Sequence, residues 1–321
     1  MKISNKISLS FFVGSIFLGV VATSVIYKIG NESLNALVSN QLRTIVISRS
    51  VHIETILEGY KKINEMLATG NIFKNAVDIS KDYNERIDQA NKRIKNTLQS
   101  FPAISRIRLL DENGIVIASS HKDIGFDEST ERIFLKGREG VFIEDIHVSK
   151  ITGNIVVRVA SPVTLNGEFA GVAIINFNEK ELFGIAMDKT GLGKTGEIYF
   201  VDKNGYIISP SRFKDKSFLK IRVNYEDIKK IGIEKQEHIF SIYSNYRGIE
   251  VLGVREHISL LKGSIVAEID KNEALELLLK MQNLLIFIVI FIFFGSWLIG
   301  LFVGRIISQP ILMLKKGSEI I

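Results

Sequence analysis

The sequence predicts an α+β fold: long N-terminal helices, then two tandem antiparallel-sheet units, all between two transmembrane helices. Three observations carry this. Two uncharged apolar runs of about 20 residues lie near the ends, at 7–27 and 284–303. Each would be about 30 Å long as a helix, the thickness of a bilayer hydrocarbon core. Between them the hydrophobic period changes from three-and-four to two near Arg106. The period-two part then echoes itself 91 residues later.

The chain has 321 residues, 46% hydrophobic and 24% charged, with a formal net charge of +6 and no cysteine. Its mean hydropathy of +0.20 is high for a chain with that many charges, so the apolar residues must be concentrated, and the two runs are where. The absence of cysteine excludes thiolate nucleophiles, cysteine metal sites and redox pairs. The first run exceeds the h-region of a cleaved signal peptide and no small-x-small cleavage site follows it, so a retained anchor is expected. The second is too apolar all round for an amphipathic core helix. Lys2 and Lys6 precede the first run, and Arg305, Lys315 and Lys316 follow the second. The positive-inside bias therefore puts both ends in the cytoplasm and residues 28–283 outside the cell membrane. No arginine-aromatic stripe or recognition motif suggests nucleic acid as a partner.

Leu34, Leu37, Val38, Leu42, Ile45, Ile56, Tyr60, Ile63 and Leu67 recur at helical spacing. They predict an amphipathic helix leaving the membrane, interrupted at Thr69-Gly70-Asn71. A second helix carries Tyr83, Ile87, Ala90, Ile94 and Leu98 and ends before Pro102. An apolar stripe this long is expected both to pack on the following domain and to form a dimer seam.

RIRLLDENGIVIASS, starting at Arg106, reads as a hairpin with Asn113-Gly114 in its turn. EIYFVDKNGYIISPS, starting at Glu197, repeats it: Asp111, Asn113 and Gly114 correspond to Asp202, Asn204 and Gly205. GVAIINFNEKEL at 171–182 is likewise echoed by GSIVAEIDKNEA at 263–274, 92 residues on. Two echoes at nearly equal offset indicate one duplicated unit, a small sheet able to wall a pocket. The expected boundaries are 1–6 cytoplasmic N-terminus, 7–27 first span, 28–100 stalk helices, 101–190 membrane-distal unit, 191–280 membrane-proximal unit, 284–303 second span and 304–321 the relay beyond it.

An anchor, a long helix, two PAS-like units and a second span resemble the double Cache sensor domain of bacterial and archaeal transmembrane receptors. DIGFDESTERIFLKGREGVFIEDIHVSKITGNIVVRVASPV at 123–163 is similar to that family's ligand-pocket region. TGLGKTGEIYFVDKNGYIISPSRF at 190–213 is similar to its entry into the membrane-proximal unit. GRIISQPILMLKKGSEII at the end resembles the opening of a HAMP helix, with Pro310 just past the membrane. The second HAMP helix is missing, so a receptor fragment or a truncated product is expected.

The resemblance implies a ligand-binding sensor with no cofactor, and Arg132 as its strongest pocket residue. A guanidinium fork matches a carboxylate bidentately, and in the amino-acid-binding subset the matching arginine grips the ligand carboxylate. That subset also has a tyrosine five positions earlier, tryptophan and tyrosine two and three later, and an aspartate on a later strand. Here those positions hold Asp127, Phe134, Leu135 and Asn176. Neutral Asn176 holds an ammonium group less strongly than a carboxylate would, so a small carboxylate or other polar metabolite is expected instead of an α-amino acid. Asp145 and Ser149 are expected either to add an acceptor and a hydroxyl to this pocket or to cap a turn. The alternative role for Arg132 is to bridge a loop to the sheet.

Other motifs carry less. GLGKT at 191–195 lacks the first glycine of a phosphate loop, that position being Asp188, and it precedes a strand where a phosphate loop follows one. The two Asp-x-Asn-Gly turns lack the remaining calcium ligands. His52, His121, His147, His238 and His257 have no metal-ligand spacing, and no nucleophile-base-acid set stands out. The expected protein is a homodimeric transmembrane sensor, not an enzyme, whose output is chemotactic, kinase or cyclic-dinucleotide. The rival readings are a ligand-free membrane scaffold and an anchored extracellular hydrolase.

Overall fold

The computed structural model describes residues 3–148, 155–215, 217–223 and 241–318. The chain divides into two compact units, residues 41–270 and residues 1–40 with 271–321. Helix α1 (Ile3–Thr69) is 67 residues long and belongs in part to each unit.

In the terminal unit, α1 from Phe12 onward and the last helix over Leu278–Gly300 are long and apolar enough to cross a membrane. Almost none of either apolar window is buried within the molecule, and Phe17, Phe287 and Phe291 are exposed. Where these helices touch, Gly19 lies against Val289, the Ser15 and Ser296 hydroxyls share a hydrogen bond, and the Phe12 and Phe293 rings lie 4.4 Å apart. Small residues and hydroxyls let helix backbones approach closely in an apolar surrounding.

The larger unit begins with the rest of α1. Gly70 breaks the helix as the spacing predicts, and α2 (Asn71–Val77) follows at once. Helix α3 (Tyr83–Ser100) is capped by Asp82, whose carboxylate accepts from the Glu85 amide at 3.0 Å. A first sheet is built from β1 (Ile104–Asp111), β2 (Val116–Ser119), β3 (Phe142–Ile143), β4 (His147–Val148), β5 (Ile155–Leu165) and β6 (Glu168–Asn178), with α4 (Arg132–Gly137) between β2 and β3. Its order is β2-β1-β6-β5-β3, and β4 also pairs with β5. One face packs on α1: the Tyr60 ring stacks on Phe177 with centroids 3.6 Å apart, and the buried Asn64 amide donates to Val159 O, Ser161 Oγ and Ala173 O.

Helix α5 (Lys180–Met187) leads to the second sheet, made of β7 (Glu197–Val201), β8 (Ser241–Ser244), β9 (Glu250–Ile258) and β10 (Gly263–Asp270) in the order β7-β10-β9-β8. Tyr199, Val201, Ile207, Val223, Tyr243, Val251 and Val266 form its core. The short α6 (Lys271–Ala274) and α7 (Glu276–Ser318) continue the chain.

The sequence echoes have a geometric counterpart. Asp111 Oδ1 accepts from the amides of Asn113 and Ile115, and Asp202 Oδ1 from those of Asn204 and Tyr206, all within 3.0 Å. The following Gly114 and Gly205 adopt φ of 87° and 85°, the left-handed region that excludes most side chains. Gly171 on β6 and Gly263 on β10 also match: a Cβ on either would overlap a carbonyl oxygen of the neighbouring strand, that of Leu110 or of Val201. Leu110 and Val201 are themselves 91 residues apart.

Candidate ligand site

The face of the first sheet turned away from α1 is divided in two. On β1, Arg106, Arg108 and Leu110 point to this face, because side chains alternate along a strand. Leu110 belongs to the apolar end, where Ile133 and Phe134 of α4 cover Val116, Ala160, Val172 and Ile174. Gly137 lets α4 sit this low, since a Cβ there would overlap Ala160 and Val172.

The other end is polar. Arg106 is the cross-strand partner of Asn176, and Asn176 is the partner of Arg158. Three strands therefore present one row, Arg106–Asn176–Arg158, with Arg108 beside it. All four residues are buried or nearly so. Such guanidinium groups need charged partners, and the surrounding loops supply them. Arg106 pairs with Asp123, which also accepts from the Ser119 hydroxyl. Arg108 pairs with Glu128 and donates to Asn176 Oδ1 at 3.2 Å. Arg158 pairs with Glu144 and approaches Glu131 at 4.0 Å. Burial pushes the Arg108 guanidinium below its ordinary range, and Glu128 opposes that shift.

The pairing is incomplete. Arg106 Nε, Arg108 Nε, Glu128 Oε2 and Asp145 Oδ1 are buried without a hydrogen-bond partner. Leaving a buried donor or acceptor unmet costs about 1–3 kcal/mol. Arg106, Arg108 and Glu128 leave two donors and one acceptor unmet in the patch, with a further unmet acceptor on Asp145 beside Arg132. Chemically, the patch suits a small molecule carrying both hydrogen-bond acceptors and donors.

The residues singled out from sequence fall into different positions. Arg132 opens α4 at the rim, half-exposed, where its guanidinium donates to Asp145 Oδ2 at 3.1 Å and lies over the Phe142 ring at 5.3 Å. Arg132 and Asp145 are thus brought together, and Asn176 lies at the centre of the arginine row. Phe134 is 2% exposed and lies in the apolar core beneath α4, away from the polar end. Its aromatic ring was expected to line the pocket; the helical turn that exposes Arg132 directs it inward instead. Ser149 lies outside the described residues. Sequence reading did not single out Arg106, Arg108, Arg158, Asp123, Glu128 or Glu144. The available signal was arginine at inward positions of otherwise apolar strands, in RIRLL and IVVRVA.

A cleft of about 400 Å³ opens on the opposite face, between α1, the end of α3 and the start of β1. Its walls are mostly apolar, and its Tyr60 and Glu181 are already hydrogen-bonded to each other at 2.7 Å. It offers less polar recognition than the arginine row. Among the described residues, no group of three or more metal-ligating side chains occurs.

Comparison with solved structures returns sensor domains. The ligand-binding domain of the amino acid chemoreceptor PctC of Pseudomonas aeruginosa PAO1, in complex with GABA, aligns over 73% of this chain and 100% of its own at 18% identity, with a TM-score of 0.56. The ligand-binding domain of the Campylobacter jejuni chemoreceptor Tlp3 with L-norvaline aligns over 75% and 94% at 14% identity, TM-score 0.58. The sensor domain of the V. cholerae histidine kinase DctB aligns over 73% and 98% at 14% identity, TM-score 0.56. At such identities the likeness concerns the fold. Comparison with curated sequences returns no match. The sequence model of the Cache domain family, dCache_1, matches residues 30–278. With two tandem sheets, a long leading helix and a family match over most of its length, the chain belongs to the Cache domain family.

Proposed function

We propose that this chain is the sensing part of a homodimeric transmembrane receptor, with residues 28–283 outside the cytoplasm. Its membrane-distal sheet binds a small carboxylate or similarly polar metabolite. The observation that carries this reading is the Arg106–Asn176–Arg158 row with buried, unpartnered polar atoms around it. Guanidinium donors suit a ligand carboxylate, and the open acceptors of Glu128 and Asp145 suit a hydroxyl or ammonium on the same molecule. Arg132 and Asp145 stand at the rim as closing groups. The ligands of PctC and Tlp3, GABA and L-norvaline, are small carboxylates with an amine, which supports the same size and polarity class here.

Binding shifts the receptor only by the ligand's differential affinity for its two states. The relay runs along the chain from the second sheet through α6 into α7, whose C-terminal part carries the HAMP-like sequence. Ile47 and Val51, exposed and four residues apart on α1, supply an apolar strip for the dimer. The chain has no cysteine, so Val51→Cys gives a clean cross-linking test of that contact.

The direct test is thermal unfolding of the full chain in nanodiscs against a panel of small carboxylates, amines and polyols. A ligand at 100 times its Kd stabilises by about 2.7 kcal/mol. At least one compound is expected to raise Tm, and Arg132→Ala is expected to weaken its binding about tenfold or more. A broad panel without a stabiliser would favour the scaffold reading, in which the charged side chains merely fill their own pocket.

A further inference from the structure

The second sheet holds a different polar cluster, unrelated to the arginine row. Glu197 on β7 and Glu268 on β10 are direct cross-strand partners. Both are essentially inaccessible to solvent, at 1% and 0% exposure. Like-charged side chains directly opposite one another are unfavourable even on a wet sheet, and burial removes the bulk solvent that would screen them.

The surroundings are built for carboxylates. Tyr199 and Tyr243 donate their hydroxyls to Glu268 Oε2 at 2.9 and 2.8 Å, and the Asn245 amide donates to Oε1. Tyr243 reaches this position across Gly253, where any Cβ would overlap its ring. Glu197 accepts from the Tyr246 hydroxyl, from Ser211 Oγ at 3.2 Å and from the Arg212 amide at 3.1 Å. The Tyr199 and Tyr246 rings meet edge-on at 5.8 Å. Among the described residues, the charged groups nearest this face are already engaged. Arg247 pairs with Asp270, Arg212 donates to the Gly193 and Gly196 carbonyls, and Arg255 donates to Ser264 Oγ. Among the described residues no cation forms an ion pair with either carboxyl, and Arg247 acts on Glu197 only through space.

We propose that Glu197 and Glu268, with their ring of tyrosines, form a proton-binding site through which pH acts on the second sheet as an input separate from the distal ligand. The pair holds one proton between its two carboxyls, since two adjacent buried charges cannot both persist without a cation. Burial first, and the neighbouring Glu197 second, push Glu268 up to about 7, against the opposing donors Asn245, Tyr243 and Tyr199. Burial also raises Glu197, while Tyr246, Arg212, Arg247 and Ser211 hold it down. The tyrosines stay neutral donors, since burial and the nearby carboxylates push Tyr199 and Tyr243 well above their ordinary range. Loss of the shared proton leaves two charges facing each other across β7 and β10. Two residues after Glu268 that strand ends at Asp270 and the chain enters α6 and α7, so a change in β7–β10 pairing bears on the covalent link to the last helix.

The test is a pH titration of the full chain in detergent, read by tyrosine near-UV absorbance with no ligand present. The wild type is expected to show a transition near pH 7 that Glu268→Gln abolishes. Glu197→Gln, which removes the like charge, is expected to lower the midpoint by about one unit, whereas Tyr243→Phe, which removes a donor to the ionised form, is expected to raise it. Should Glu268→Gln fail to fold by circular dichroism, the opposite shifts of Glu197→Gln and Tyr243→Phe decide the matter alone. A transition that persists in folded Glu268→Gln would overturn the proposal, as would midpoints unmoved or moved the same way by the other two variants. Because no ligand is involved, failure here is separate from failure of the distal binding reading.

Discussion

Arg49 and Asp188 form a 3.0 Å ion pair that fastens α1 to the chain leaving α5. The same guanidinium donates to the carbonyls of Ile185, Asp188 and Thr190 at 2.9, 2.7 and 3.2 Å. One side chain thus meets the C-terminal end of α5, where unpaired carbonyls and the helix dipole favour a cation, and holds the segment joining the two sheets.

Arg49→Ala is expected to destabilise the full chain by about 2 kcal/mol, because several carbonyls lose their donor in a largely buried place. Arg49→Lys is expected to recover less than half of that, since an ammonium is a point charge without the fork that reaches four acceptors. Urea unfolding of the three proteins measures both. If Arg49→Lys matched the wild type, charge alone would account for the contact.

Asn64 is fully buried on α1, and its amide donates to the Val159 and Ala173 carbonyls at 2.9 and 3.1 Å and to the Ser161 hydroxyl at 3.1 Å. Asn64→Leu keeps the branched shape at a somewhat larger volume and strands those acceptors against an apolar side chain. A loss of about 2–3 kcal/mol is expected, seen as a lower urea midpoint at unchanged slope. A stability equal to wild type would mean that water replaces the amide.

The periodic parts of this fold could be read in advance, and the site could not be read as fully. The stop at Gly70, the α3 stripe and the paired Asp-x-Asn-Gly turns each depend on neighbours within a few residues, so local spacing records them. The arginine row depends on register: Arg106, Asn176 and Arg158 lie 70 and 18 residues apart in sequence and meet only because β6 pairs with both β1 and β5. Arg132 was visible because a motif points to it, yet that motif does not say that the adjoining Phe134 turns into the core. Glu197 and Glu268 were hidden in the same way, each reading as one polar residue in an apolar strand until β7 and β10 are paired.

The Glu268 carboxyl also fixes the sign of a stability profile. Its folded value of about 7 lies above the ordinary 4.5 of the unfolded chain. Below about pH 4.5 both states hold the proton and the contribution is fully present; it is lost as pH rises to about 7 and beyond, because only the unfolded state then releases the proton without penalty. Glu268→Gln is therefore expected to be more stable relative to wild type at pH 8 than at pH 5. Denaturant midpoints at the two values measure this difference, and an equal offset at both would contradict it.

Glycine substitutions separate close approach from mere flexibility. Gly171→Ala and Gly263→Ala place a methyl group against the carbonyl oxygens of Leu110 and Val201, and neither neighbour is the movable end of a side chain. Strand separation must increase at β1–β6 or at β7–β10, and a loss of about 2–3 kcal/mol is expected from each, within the range for overpacking a well-packed interior. Gly59 gives the contrast. It sits within α1 with nothing within 4 Å of where its Cβ would lie. Gly59→Ala removes a glycine from a helix interior and is expected to stabilise by about 0.5–1 kcal/mol. All three substitutions add the same atoms, so thermal or urea unfolding of the set separates a steric loss in the two strands from the ordinary gain of replacing a helical glycine. If Gly263→Ala proved as harmless as Gly59→Ala, the second sheet would tolerate looser β7–β10 pairing than its geometry implies, and the equivalence of Gly171 and Gly263 would be one of sequence only.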